Sequence, residues 1–517
     1  MTWVIFPAPL RGDAVKAAAF EDGGNAGCEA PAQPASHTNA SAACKRAESC
    51  CFTIALASIS PQRLPSERRV RLGVRQQRGM HRSSVVLLLA LAACNAGSSA
   101  SVPEASRPAA TRLVTRAASP IQHVIFVVQE NRSFNNLFLG YPGATTQNYG
   151  YDTKGNKITL QSVDLATNWD IQHASYSFFA ACDGHGRIPG TKCKMDGWNN
   201  EVASLGHPKN FAYSYVPESE ITQYWEMAQQ YVLADNTFSS NIDGSFIAHQ
   251  YSVAAYADHT VDFPQSNWGC PGGRTDKIQL FTNKRAYGKW IRACFDIPTL
   301  GNEADAAGVS WRYYTGSLSS SDALWSAYQA DSRIYNTPDW TNDVISPQSQ
   351  FLTDVANGQL ANITWITPTL QDSDHPGLLA NGGPAWVSSI VDAVGKSKFW
   401  KSSAIFILWD DWGGWFDPVK PPYVDYDGLG FRIPLIMISP YSPAGRVTHV
   451  QYEIASVLRY IEDNFALAPM AAADARANDP ASDPNAFDYA QKARRFHSFD
   501  ALRPRAIHGH TSHLGDD

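Results

Sequence analysis

The segment Gln129-Glu130-Asn131-Arg132-Ser133-Phe134 follows directly on the apolar run Val124-Ile125-Phe126-Val127-Val128, so a carboxylate and an amide stand at the end of a predicted buried strand. A second apolar run, Ala404-Ile405-Phe406-Ile407-Leu408-Trp409, delivers Asp410-Asp411 and then Trp412-Gly413-Gly414. Open α/β sheets build sites at the carboxyl ends of strands, where the backbone stops pairing and side chains can converge. Neighbouring acidic side chains repel one another unless a cation or a proton lies between them. Glu130, Asn131, Asp410 and Asp411 therefore read as four oxygen donors to one hard divalent cation, for which magnesium, calcium and manganese are all suitable. Either pair alone is an ordinary turn or cap; two pairs at two strand ends point to a site.

A nucleophile candidate lies between them. In Asn241-Ile242-Asp243-Gly244-Ser245-Phe246 the glycine lets the backbone approach a ligand, and Ser245, opening a predicted helix, would present its hydroxyl to the same strand ends. A serine hydroxyl is a poor nucleophile at neutral pH and needs an adjacent base or a metal.

With these residues in place, the chain resembles the bacterial acid phosphatase and phospholipase C superfamily of phosphoesterases. That family carries a Glu-Asn-Arg-Ser-Phe-Asp motif, a Gly-Gly-Ser or Gly-Pro-Thr nucleophile segment, and an Asp-Asp or Asp-Glu pair before Gly-Gly. The resemblance runs in order from about 121 to about 465 and includes Tyr224-Trp225, Ala234-Asp235-Asn236, Asp374-His375-Pro376, Gly430-Phe431-Arg432-Ile433-Pro434 and Ile438-Ser439-Pro440-Tyr441. It implies an alkaline-phosphatase-like α/β/α sandwich with a mainly parallel sheet. Glu130, Asn131, Asp410, Asp411 and Ser245 would be the metal ligands, with Ser245 also the nucleophile that forms a phosphoserine. His173 and His375 would contact the phosphate, either of them able to protonate the leaving oxygen. His249, one helical turn beyond Ser245, and Asp196, in Lys194-Met195-Asp196-Gly197-Trp198, are further candidates near the substrate.

The resemblance has two departures. Ala248 stands where the family has an asparagine, which removes a donor to a phosphate oxygen, and Phe134-Asn135-Asn136 replaces Phe-Asp-His. Serine rather than threonine at 245 resembles the acid phosphatase branch and implies phosphomonoesters as substrates. The alternatives are a phospholipase C cleaving phosphocholine lipids and a metal- or phosphate-binding lipoprotein that has lost turnover through the Ala248 change.

Met80-His81-Arg82, the apolar stretch 85–93 and the ending Leu91-Ala92-Ala93-Cys94 read as a bacterial secretory signal with a lipobox, making Cys94 the lipidated residue and membrane anchor of an exported, periplasmic or membrane-bound protein. A signal does not normally sit behind 79 residues, so 1–79 reads as a mis-assigned start, 80–93 as the signal and 94–120 as a Ser/Ala/Pro-rich tether. The catalytic domain is expected at 121–465, with a tail at 466–517 packed on it or partly disordered. Cys182, Cys193, Cys270 and Cys294 suit two disulfides in an exported protein, the close spacings favouring Cys182 with Cys193 and Cys270 with Cys294. A net charge of −6, more acidic once the basic start is set aside, argues against nucleic acid as a partner. Strands are expected at 123–128, 362–367, 404–409 and 433–438, and helices at 219–230, 385–395 and 451–464. The stretches 141–215 and 257–345 read as loops over the site. Oligomeric state is not legible.

Overall fold

Val124 to Val128 put no polar side chain on either face of their strand, so both faces need covering. In the computed structural model, which describes residues 119–265, 269–318 and 325–499 within the unit Ser106–Asp517, that strand lies inside an eight-stranded sheet. The expectations for 1–79, for the signal at 80–93 and for Cys94 fall outside the described residues.

The strands are β1 (His123–Gln129), β2 (Val232–Ala234), β3 (Trp311–Tyr314), β4 (Val344–Ile345), β5 (Ile363–Ile366), β6 (Ser403–Trp409), β7 (Leu435–Ile438) and β8 (Arg446–Thr448). Their spatial order is β4-β3-β5-β1-β6-β7-β2-β8. Only β7 is antiparallel, to β6 on one side and β2 on the other. Register decides which faces meet which helices. Phe126 lies opposite both Trp365 and Phe406, so the three share a face. On that face Trp365 Nε1 donates to the Ser252 carbonyl, and the Phe406 ring lies 4.8 Å from that of Tyr460. Three residues on from Phe406, Trp409 points the other way and meets the Tyr224 ring at 4.9 Å. Two helices, α3 (Ser245–Ala254) and α5 (Ile454–Phe465), thus cover one face, and α2 (Thr222–Gln230) covers the other. The result is the expected α/β/α layering.

The helix α4 (Gly383–Lys396) and helices α2 and α5 fall within a few residues of their predicted bounds. The stretch 257–345 is not all insertion, because β3 and β4 sit within it and extend the sheet. Trp311-Arg312-Tyr313-Tyr314 lacks the aliphatic run of a buried strand, and its place is set by pairing with Ile363–Ile366. Likewise β2 and β8 are too short to show a period. The helix α1 (Ser175–Cys182) interrupts 141–215, and disulfides join Cys182 to Cys193 and Cys270 to Cys294. At the last of the described residues, Phe499 N and Ser498 Oγ each donate at 2.8 Å to Asp392 on α4, tying this stretch to the domain.

The amphipathic pattern Ile454, Val457, Leu458, Ile461 buries α5, and its next residue, Glu462, goes in as well. Burial, and then the neighbouring Asp474 carboxyl, push Glu462 up from 4.5 to about 9. Below its ordinary value both folded and unfolded chains hold this proton; as pH rises beyond it, only the folded chain keeps it, and stability falls until about pH 9. Glu462→Gln, which mimics the neutral acid, is therefore expected to raise Tm by roughly 1–3 °C near pH 8 and to leave it unchanged near pH 4.5 in thermal melts. An equal shift at both pH values contradicts the assignment.

Candidate active site

The parallel register of β1 and β6 runs to Gln129 opposite Trp409 and continues as Asp410 N donates to the Gln129 carbonyl at 2.9 Å. Glu130-Asn131 and Asp410-Asp411 therefore leave the sheet side by side. Asn131 turns into the left-handed region at φ 51°, a conformation asparagine tolerates better than most residues. Its backbone N–H donates to Asp410 Oδ1 at 2.9 Å. Gly413, at φ 61°, passes so close that a Cβ there would stand 2.0 Å from the Asn131 carbonyl oxygen.

Ser245 is the first residue of α3, after Gly244 as N-cap. Its hydroxyl donates to Asp411 Oδ2 at 3.3 Å and accepts from Asn131 Nδ2 at 3.0 Å. The positive end of the helix dipole faces this spot, which suits an anion. Asn131 Nδ2 also lies 2.9 Å from Asp411 Oδ2 and 2.9 Å from His173 Nε2. His173 donates through Nδ1 to the Ile171 carbonyl at 2.7 Å, which aims Nε2 at the site. The His375 ring lies 5.9 Å from that of His173, its Nδ1 held by the Pro376 carbonyl at 2.6 Å.

His249 is placed deeper than a substrate contact. One turn along α3 it is fully buried, with Nε2 2.8 Å from Glu130 Oε1 and 3.9 Å from Asp410 Oδ2. Asp196 stays apart from the cluster: it lies beside Asp183 and Lys194 next to the Cys182–Cys193 bridge. The replaced motif positions act on the frame, since Asn136 Nδ2 donates to the Ser214 carbonyl and Asn135 Nδ2 to that of Gln147.

Burial dominates the electrostatics. It raises Glu130 well above the usual carboxylate range, helped by Asp410 and Asp411, and does the same to Asp411, helped by Asp410. Burial opposes charge on His173, but Asp411 and Asp170 outweigh it and hold the ring at about 9. Burial pushes His249 down to about 4, and His375 is lowered for the same reason.

These residues fit a divalent cation. Glu130, His249 and Asp410 each place a ligand atom within 4.8 Å of the others. Glu130 Oε2, Asn131 Oδ1 and Asp410 Oδ2 are buried without a hydrogen-bond partner, a costly state that a hard cation relieves. Asp411 differs: Oδ1 accepts from Gly413 N at 2.7 Å and Oδ2 from Asn131 and Ser245, so both its oxygens already have protein donors. What the sequence did not reveal is the buried support. Gln129, Arg132, Tyr224, Asp374 and Trp409 are all fully enclosed around the cluster. Polar and aromatic residues directly flanking the motifs, Gln129 before Glu130 and Trp409 before Asp410, are the signal that was available.

The model of the Phosphoesterase family matches residues 121–468, and the chain belongs to that family. It is a hydrolase acting on phosphoester bonds. Among curated relatives, phospholipase C B of Mycobacterium tuberculosis is 23% identical over 67% of this chain and 73% of its own length. The hemolytic phospholipase C of Pseudomonas aeruginosa is 24% identical, over 73% of this chain but only 57% of its own length. Non-specific phospholipase C1 of Arabidopsis thaliana is 23% identical over 67% of each. A solved structure of a protein in the alkaline phosphatase superfamily from Vibrio parahaemolyticus aligns over 68% of each chain at 9% identity, with a TM-score of 0.32.

Because the Asn131 turn has no room beside Gly413, Gly413→Ala is expected to displace it, cutting phosphoester turnover by about 100-fold or more. Gly140→Ala is the control: φ is +81° there too, but nothing lies within 4 Å of a Cβ. It is expected to cost only backbone strain of about 1–2 kcal/mol in thermal melts and to keep turnover. Equal turnover in both variants contradicts the close-approach argument.

Proposed function

We propose that the protein is an exported, metal-dependent phosphoester hydrolase that works through a phosphoserine at Ser245. The observation that carries this is the Ser245 hydroxyl, held by Asp411 and Asn131 at the start of α3 beside a buried acidic cluster. Glu130, Asp410 and Asn131 would hold the cation, with His249 behind them and Asp411 at its border. When bound, the cation supplies charge to the phosphoryl oxygens and lowers the cost of ionising the serine.

The rest is work for the chain's own groups. Ser245 Oγ attacks phosphorus as its proton passes to Asp411 Oδ2, and the ester P–O bond breaks with a proton from His375 going to the leaving alcohol. A water then gives its proton to His375 and attacks the phosphoserine, and Ser245 Oγ takes back the proton held by Asp411. His173 and the first amides of α3 stabilise the equatorial oxygens. The two disulfides support export, since such bonds persist in oxidising compartments.

Two substrate classes share this chemistry. Serine at 245 supports phosphomonoesters, as for an acid phosphatase. The surroundings favour phosphodiesters of an apolar alcohol, as for a phospholipase C, and we take that class as the better supported. Ala248 removes a donor, and a diester has one fewer anionic oxygen to bind. Tyr176, Val202, Leu205, Phe263 and Leu379 are exposed apolar side chains on segments that frame the stretch carrying His173. Gln172 N donates to the Val202 carbonyl, Asp170 N to Ser204 Oγ and Leu379 N to the Thr167 carbonyl, while Phe263 lies 3.6 Å from where a Cβ on Gly244 would be. The names of the curated relatives agree.

Turnover of a chromogenic phosphomonoester and a phosphocholine diester, with and without a chelator, tests both levels. Chelator-sensitive turnover that falls at least about 1,000-fold in Ser245→Ala is expected, with the diester cleaved faster. A faster monoester moves the protein to the phosphatase class. Activity surviving in Ser245→Ala removes the nucleophile assignment, and metal-dependent stabilisation without any turnover would mark a binding protein.

A further inference from the structure

The last residue of β1 makes three hydrogen bonds that no backbone pairing requires. Gln129 Oε1 accepts from Glu130 N at 3.0 Å and from Asp374 N at 3.1 Å, while Nε2 donates to the Asp372 carbonyl at 2.9 Å. Asp374 is held from the other side. Its Oδ2 accepts from Tyr224 OH at 2.8 Å and Trp409 Nε1 at 3.0 Å, and its carbonyl accepts from Arg132 Nε at 2.8 Å. The residue that follows is His375.

Three of these anchors are chain neighbours of the acidic cluster. Gln129 precedes Glu130, Arg132 follows Asn131 and Trp409 precedes Asp410. A shift of the His375 loop therefore strains the cluster's own backbone, and the cluster's position sets that of the loop. The fit is close on the open side as well: a Cβ on Gly383 would stand 2.1 Å from Asp374 Oδ1 and 2.8 Å from Gln129 Nε2. Since the Pro376 carbonyl takes Nδ1 of His375, the imidazole is left with Nε2 for a ligand, and its aim depends on where the loop is held.

We propose that Gln129 and Asp374 are positioning residues that fix the His375 imidazole relative to the carboxylate cluster. This rests on the phosphoryl-transfer reading, in which His375 protonates the leaving oxygen. A group that only stabilised the fold would affect all substrates alike. A group that aims a proton donor matters most when the leaving oxygen is basic and least when it is a good leaving group.

The test compares Gln129→Met, of similar length but unable to hydrogen-bond, with the wild-type enzyme on an alkyl and a nitrophenyl phosphoester. The manganese-dependent rise in Tm is measured alongside. Expected are a loss in kcat/KM, which reports the step in which the alcohol leaves, of about 10- to 100-fold on the alkyl ester and about 3-fold or less on the nitrophenyl ester, with a rise in Tm on manganese addition retained. In a His375→Ala background Gln129→Met should add nothing, because the group it aims is gone. Equal losses on both esters, or additive losses in the double variant, overturn the proposal. If Gln129→Met does not fold, Gly383→Ala, which crowds the same two side chains without removing them, is expected to show the same dependence on the leaving group, and its absence overturns the proposal too. Failure of the underlying reading has a separate mark: Ser245→Ala would retain wild-type turnover.

Discussion

Three carboxyl groups, Glu130, Asp410 and Asp411, are packed together out of water, and among the described residues the only ionisable cationic partners within 4 Å of them are the histidines His173 and His249. No lysine or arginine compensates them there. Burying like charges in this way costs several kcal/mol per ion unless something neutralises it. The fold holds the arrangement through the in-register pairing of β1 with β6, two strands that are buried except for His123 at the start of β1 and whose apolar side chains fix their register. The acidic pocket is thus strained electrostatically and secured by hydrophobic packing, which is the usual division between a site and its scaffold.

The remaining parts answer to that pocket. Helix α3 brings Ser245 and its first amides to one side, with His249 one turn deeper against Glu130. Gly413 leaves the space in which Asn131 turns. The buried Gln129, Asp374, Tyr224 and Trp409 network carries the registration outward to His375. The two strand ends supply two polar residues each, Glu130-Asn131 and Asp410-Asp411, and the start of α3 supplies Ser245, which is where the proposed reaction would bring the phosphoryl group.

Much of this was legible in the sequence for a physical reason. Short apolar runs rich in β-branched and aromatic residues, such as Val124 to Val128 and Ala404 to Trp409, read as buried strands, and whatever polar residues end them emerge together if the strands pair side by side. The sheet's shortest strands were not legible: Val232–Ala234, Val344–Ile345 and Arg446–Thr448 span two or three residues each, too few for any period. Trp311–Tyr314 is a strand by virtue of its partner rather than its composition. His249 read as a candidate near the substrate because its spacing from Ser245 along a helix does not say what the helix packs against. Here it meets Glu130.

The central claim is that the acidic pocket is built around a divalent cation. It is tested most directly by thermal melting of the wild-type protein and Asp410→Asn, in chelator and across a titration with manganese, magnesium or calcium. The account predicts that Asp410→Asn melts higher than wild type in chelator, because one buried charge is gone, and that the cation raises the Tm of the wild type but much less that of the variant. A wild-type Tm indifferent to all three cations, together with a variant that melts lower in chelator, would contradict it.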